Sequence, residues 1–231
     1  MPTAGKISVN MAVSVDGRIT TRRREHFALG GEHDRRLMDE LRVGADAVIV
    51  GAGTVRHDGY AMKIRYPDLR ARRTRQKGAP HPVNVVLSSS LDIPIRSHFF
   101  QAVGVDRIVF TGRDAPAARV KRFARVADVV VLPARTLSPR AVVREMNRRG
   151  LHDLLLEGGG EVHFAFAKAG LVDELYVTVT PRLIGGTEAP SLLDGAGFLW
   201  KDHLHLKLES VRRKGDDVFL HYRVPARTGG R

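Results

Sequence analysis

Short apolar runs punctuate a strongly charged chain, and their periodicity changes along its length. KISVNMAVSV (6–15) is apolar enough to be a buried first strand, and DGR after it is a turn. The polar, glycine-bearing stretch 20–34 is expected to be a loop. EHDRRLMDELRVG (32–44) carries Leu37, Met38 and Leu41 at helical spacing, with Gly44 as a stop. ADAVIV (45–50) is a short strand leading into GAGTVRHD. Residues 59–82, rich in basic residues and proline, form the least regular segment. Strands are then expected at VNVVL (83–87), DRIVF (106–110) and DVVVL (128–132), with a basic helix near 115–125 between the last two. SPRAVVREMNRRG (138–150) reads as a helix with Ser138 as N-cap, Pro139 in the first turn and Gly150 as stop. HDLLLEGGG is a strand and turn, EVHFAFAKAGL (161–171) a helix whose Phe164, Phe166 and Ala167 pack a core or a subunit contact, and DELYVTVT a strand. Residues 203–224 alternate in two runs around Arg-Lys-Gly-Asp, the mark of a closing hairpin.

Strands and helices therefore alternate, and an antiparallel pair ends the chain. The expected fold class is α/β, a mostly parallel, doubly wound sheet with an antiparallel C-terminal hairpin. No repeat or linker divides the 231 residues, so one domain is expected, with its core over about 6–224 and a frayed PARTGGR tail. Hydrophobic residues make up 43%, enough for a real core. No apolar run reaches the roughly 18 residues of a membrane span. Cysteine is absent, which removes disulfides and thiolate chemistry. A cytoplasmic protein with no membrane partner is the expectation.

The net charge of +13 favours anionic partners: nucleic acid, phosphorylated metabolites or nucleotide cofactors. A general arginine enrichment would give the same number, because basic residues occur throughout. Nucleic acid is not the expected partner: aromatics are only 6% and none is interleaved with the basic runs as a stacking platform. Ten histidines raise the question of metal, but His26 and His33, His163, and His203 and His205 lack metal-site spacing, so no metal is expected.

Two glycine-rich strand exits carry the candidate chemistry. LLLEGGGEV (154–162) and VGAGT (50–54) each follow an apolar strand, and ligands of open α/β sheets bind beyond such carboxyl ends. Glycines let backbone N–H groups approach a phosphate, and a following helix N-terminus adds partial positive charge. A plain tight turn would need the same residues. Neither exit is a Walker loop or a G-x-G-x-x-G fingerprint.

SVDGRIT (14–20), VGAGTVRHD (50–58), TGR (111–113), LLLEGGGEV and DELYVTVTPRLIGG (173–186), in this order, resemble the riboflavin-biosynthesis pyrimidine reductase family over about residues 6–224. These are the reductase domains of bacterial deaminase-reductases and the stand-alone archaeal and fungal reductases. The resemblance implies a dihydrofolate-reductase-like fold, NADPH as cofactor, a homodimer, and hydride transfer to C1′ of a ribosylaminopyrimidine 5′-phosphate, giving the ribitylamino product. It implies that Ala12, Gly51, Gly53, Thr54, Asp58, Ser89 and Gly158, Gly159, Gly160 and Glu161 hold the cofactor. Asn10, Ser14, Asp16, Lys63, Arg65 and Glu157 would meet the substrate. Arg113 is a candidate for the cofactor's 2′-phosphate or an ordinary surface arginine. Asp16 and Glu157 are the candidate catalytic carboxylates, Glu157 binding the pyrimidine or ribityl side and Asp16 orienting or protonating the reacting end, with an Asx-type turn as the alternative role for Asp16. Asp58-Gly59-Tyr60 departs from the family's Asp-Asn-Pro or Asp-Asp-Pro. No deaminase half is present in the sequence. A related reductase acting on another pterin, pyrimidine or specialised metabolite would carry similar cofactor motifs, and a silent homologue would keep the fold.

Overall fold

The computed structural model describes residues 5–25 and 27–225. Seven parallel strands form the body of one nine-stranded sheet: β1 (Ile7–Ser14), β2 (Ala47–Gly51), β3 (Val83–Leu87), β4 (Arg107–Gly112), β5 (Asp128–Leu132), β6 (Leu154–Gly158) and β7 (Glu174–Thr180). The last two strands, β8 (Lys207–Lys214) and β9 (Asp217–Arg223), form the hairpin, and β9 runs antiparallel to β7. The spatial order is β5-β4-β3-β2-β6-β1-β7-β9-β8. The expected α/β class, mostly parallel with an antiparallel C-terminal pair, is the observed one.

Among the described residues seven α-helices connect the strands: α1 (Glu32–Gly44), α2 (Ala52–His57), α3 (Pro67–Lys77), α4 (His98–Gln101), α5 (Ala117–Phe123), α6 (Pro139–Arg148) and α7 (Gly160–Lys168). Successive strand side chains point to opposite faces. Ala47, Ile49, Val85, Phe110, Leu154 and Leu156 pack on one face with Val142 and Met146 of α6 and Phe166 of α7. Val50, Val86 and Val109 pack on the other with Val55 of α2, Phe99 of α4 and Phe123 of α5. Both faces are therefore covered, which is why the parallel strands read as continuous apolar runs. Each fully buried Ile or Leu of this kind contributes about 1.5–3 kcal/mol of transfer free energy.

The structure corrects two local readings and adds to two others. Residues 59–82 are not irregular throughout, because α3 occupies 67–77. Its signals are Pro67 at the first turn, Asp68 beside it and the left-handed Gly78 at the C-cap. The apolar periodicity that would announce it is nearly absent: Leu69 buries against Val43 and Ile64, and the helix is otherwise mostly charged. Lys77 Nζ ties its end to Asp46 at 2.8 Å. Second, the stretch after ADAVIV, for which the sequence predicts no element, ends β2 at Gly51 and then forms α2, held by Val55, which is 1% exposed. Third, α1 spans the expected residues, but Leu37, Met38 and Leu41 are only half-buried, while Asp34, Asp39, Arg42 and Val43 are buried. Fourth, His203 and His205 precede β8 and are not on a strand. His26 and the tail from residue 226 lie outside the described residues.

Candidate active site

β2 and β6 are neighbours in the sheet, with Val50 opposite Gly158. The two glycine bends therefore leave the sheet side by side, one opening α2 and the other α7. At Gly158 and Gly160 the packing leaves no room for a side chain. A Cβ on Gly158 would stand 2.5 Å from Thr54 Oγ1, and one on Gly160 would stand 2.4 Å from the Ser191 carbonyl oxygen. Gly159, at φ 80°, caps α7 in the left-handed region. Gly160 and Glu161 begin α7, so their N–H groups have no carbonyl partner within the helix.

Between the bends lies a cleft of about 600 Å³. Gly51 to Thr54 and Glu157 to Val162 form two of its walls, Ser88 to Ser90 after β3 a third, and Ile19, Thr20, Arg24, Glu25 and Phe27 from the loop after β1 the fourth. Arg56, His57 and Asp58 stand at its margin. The backbone cradle, the helix N-terminus and the nearby cations fit the phosphates of a dinucleotide.

Of the expected cofactor residues, Gly51, Gly53, Thr54, Asp58, Ser89, Gly158, Gly159, Gly160 and Glu161 line this cleft, and so does Glu157. Ala12 and Arg113 are not among its lining residues. Arg113 follows β4, is largely exposed and lies beside Asp114, with Nε 3.5 Å from Oδ1. This placement favours the ordinary surface arginine that the sequence also allows. Arg56 is the arginine that follows GAGT directly and borders the cleft.

The two candidate catalytic carboxylates are already engaged. Asp16 accepts hydrogen bonds from the Ser14 hydroxyl at 2.7 Å and from the backbone N–H groups of Ile184 at 3.0 Å and Gly185 at 2.6 Å. These donors, the Ser14 hydroxyl foremost, lower its pKa from 3.8 to about 2. These contacts favour an orienting or turn-forming role for Asp16 over proton delivery. Asp16 instead clasps the turn after β1 to the loop after β7. The same junction carries a hydrogen bond from Arg18 Nη1 to the Ala189 carbonyl oxygen at 2.8 Å. Ser14 acts here too, accepting from the Arg18 N–H at 2.9 Å.

Glu157 borders the cleft, but its carboxylate is held bidentately by Arg42, with Nε at 2.8 Å and Nη2 at 2.5 Å. Arg42 also donates to Asp39 Oδ1 at 3.2 Å and to the Lys63 carbonyl oxygen at 2.6 Å. Burial works against the Arg42 charge, and Glu157 and Asp39 outweigh it, so its pKa is raised. Arg65 joins the same network through Asp39, its N–H donating to Oδ2 at 2.5 Å, and Lys63 Nζ donates to the Val103 carbonyl oxygen at 3.0 Å. Neither Lys63 nor Arg65 is among the cleft-lining residues. Asn10 is buried in β1 with its Oδ1 unpartnered. Asp39 and Arg42 were missed because they fall on α1, where an Asp–Arg pair three residues apart reads as an ordinary surface ion pair.

A parallel α/β sheet with an antiparallel C-terminal edge and a cleft across its carboxyl ends has the architecture of the dihydrofolate-reductase-like reductases. A pyrimidine reductase-like protein from Corynebacterium diphtheriae superposes with a TM-score of 0.84 at 24% identity, covering 96% of this chain and 92% of that one. Residues 5–220 match the family model of the RibD C-terminal domain, and the chain belongs to that family. It is 31% identical over 210 residues to the 2,5-diamino-6-ribosylamino-4(3H)-pyrimidinone 5′-phosphate reductase of Archaeoglobus fulgidus, covering 91% of this chain and 94% of that protein. The protein of the same name from Methanothermobacter thermautotrophicus is 30% identical over 221 residues, covering 94% of this chain and 97% of that protein. The chain corresponds to 56% of the riboflavin biosynthesis protein RibD of Bacillus amyloliquefaciens.

Proposed function

We propose that this protein reduces the ribosylamino side chain of 2,5-diamino-6-ribosylamino-4(3H)-pyrimidinone 5′-phosphate, or of its deaminated form, to the ribitylamino side chain, with NADPH as the reductant. The observation that carries the reading is the meeting of the two glycine bends on one cleft bordered by Glu157, in a chain that spans nearly the whole length of reductases bearing that substrate in their names.

The nicotinamide cofactor supplies the hydride when bound. The protein's own work is placement. The free N–H groups at the start of α7 and the glycine cradle would hold the pyrophosphate, with Thr54 and Asp58 on the opposite wall. Ser88 to Ser90 and Arg56, which line the cleft, would meet the extra phosphate that separates NADPH from NADH. Glu157, fixed by Arg42, presents a rigid anionic edge to the substrate side. Ala12 lies one residue beyond the cleft-lining Met11 and would pass near the nicotinamide. A homodimer is part of the proposal, because Leu208 and Val211 on the edge strand β8 are exposed and open strand edges are normally covered. So is a cytoplasmic location, where NADPH and the phosphorylated substrate are supplied.

The test supplies purified protein with NADPH and each of the two substrates, deaminated or not, and follows nicotinamide absorbance and ribitylamino product. Turnover with one of them is expected. No oxidation with either would turn the assignment to another pterin or pyrimidine substrate. Arg56→Ala should raise KM for NADPH about tenfold while leaving that for NADH within about twofold, since one charged contact is worth about 1.5 kcal/mol.

A further inference from the structure

Asn10 of β1, Asp34 in the first turn of α1 and Thr178 of β7 are 5%, 5% and 0% exposed. Ala12 stands opposite Thr178 in the β1–β7 register, so Asn10 and Thr178 share one face of the sheet a rung apart. The Thr178 hydroxyl lies beside the Asp34 carboxyl. Yet Asn10 Oδ1, Asp34 Oδ1 and Thr178 Oγ1 each lack a hydrogen-bond partner in good geometry. Buried polar atoms are satisfied in the great majority of cases, and each orphan costs about 1–3 kcal/mol. The Asp34 carboxyl and the Thr178 hydroxyl face each other, Asn10 lies on the same sheet face, and their under-used oxygens leave capacity for a polar ligand group.

The link to the cleft is Glu157, which lines it and whose charge reaches Asp34; Met11 lines the cleft too, but its side chain leaves the opposite face of β1 from Asn10. Of the carboxyls here, Asp16 is clasped by backbone N–H groups and Glu157 by Arg42. Asp34 has no charged or backbone clasp of that kind; its neighbour is the neutral Thr178 hydroxyl.

We propose that Asn10, Asp34 and Thr178 form the subsite for the reacting carbon–nitrogen end of the substrate, and that Asp34 protonates the nitrogen. The proposal rests on the reductase reading above. In that reaction the opened ribosylamine presents a C=N bond. The hydride adds to C1′, the π pair moves to nitrogen, and the Asp34 O–H proton forms the new N–H bond. The imine is reduced, the nicotinamide is oxidised, and the Asp34 carboxylate regains its proton from water. The Thr178 hydroxyl and Asn10 Oδ1 anchor N–H and O–H groups on either side. The environment keeps Asp34 protonated at higher pH than an ordinary carboxyl. Burial is the main cause; the Thr178 hydroxyl and the Arg65 charge oppose it, and the Asp217 and Glu157 charges reinforce it.

The test uses Asp34→Asn and Asp34→Glu in the full chain. Asp34→Asn should lower kcat by about 100-fold, the lower end for a lost general acid, with NADPH affinity unchanged. The loss of wild-type kcat as pH rises through the Asp34 pKa should disappear, and Asp34→Glu should restore part of the rate. Asp34→Asn should melt no lower than wild type at pH 8, because it removes a buried charge. Without cofactor, ribitylamino product should shift the Asp34 carboxyl ¹³C resonance. Wild-type kcat in Asp34→Asn with the basic limb intact, or activity lost only together with melting temperature, would overturn the proposal. If wild type oxidises no NADPH with either pyrimidine, the parent reading fails. The carboxyl titration then decides the subsite: a resonance that the product leaves unmoved overturns it.

Discussion

Arg42 and Asp16 show how differently two charged side chains can serve one site. Arg42 is buried between Glu157 and Asp39, and removing one partner leaves an uncompensated charge. Glu157→Gln should therefore lose about 3–5 kcal/mol of stability in a denaturant titration. A Glu157→Gln, Arg42→Met double variant should lose clearly less than the sum of the two single changes; additive losses would contradict the coupling. Asp16 is solvent-accessible, and its folded pKa of about 2 lies below the ordinary 3.8. A depressed carboxyl stabilises the fold above the unfolded pKa, and that contribution fades as pH falls from about 4 towards 2. Asp16→Asn should thus melt below wild type at pH 6, with the gap closing near pH 2, and its kcat should remain within about threefold. A hundredfold fall in kcat would restore a chemical role to Asp16.

At the scale of elements, the site is a consequence of β2 and β6 being neighbours. Their bends pack so closely that a methyl group on Gly158 meets Thr54. Gly158→Ala should cost about 1–3 kcal/mol and weaken cofactor binding. Thr54→Ala in the same chain should recover part of that stability, because two of the three closest contacts, to Oγ1 and Cγ2, vanish. Thermal melts of the four proteins of this cycle measure the relief, and its absence would mean that the bend fails for backbone reasons instead. The strand–helix alternation was legible because buried parallel strands need continuous apolar runs. α3 was not, since a helix that rests on Leu69 and a few ion pairs leaves almost no periodic signal.

For the whole molecule, the +13 charge sets a field that draws in anions. KM for NADPH should rise several-fold between about 0.05 and 0.5 M salt while kcat stays constant, as screening shortens the Debye length from about 14 to 4 Å. A KM indifferent to salt would show that local contacts alone hold the cofactor.

The order of the strands, the helices α1, α5, α6 and α7, the hairpin, the two glycine bends and the family followed from the chain as written. Each depends on local spacing: period two or near-continuous apolar runs for strands, small residues where the backbone must turn sharply. Which carboxylates are spent and which are available was decided only in three dimensions. Asp16 and Glu157 sit at recognisable positions, yet backbone N–H groups 168 and 169 residues away claim one and an arginine 115 residues away claims the other. Asp34 drew no attention as one acid among many on an amphipathic helix. Its environment is made by Thr178, brought over it by the sheet, and no local pattern encodes that meeting.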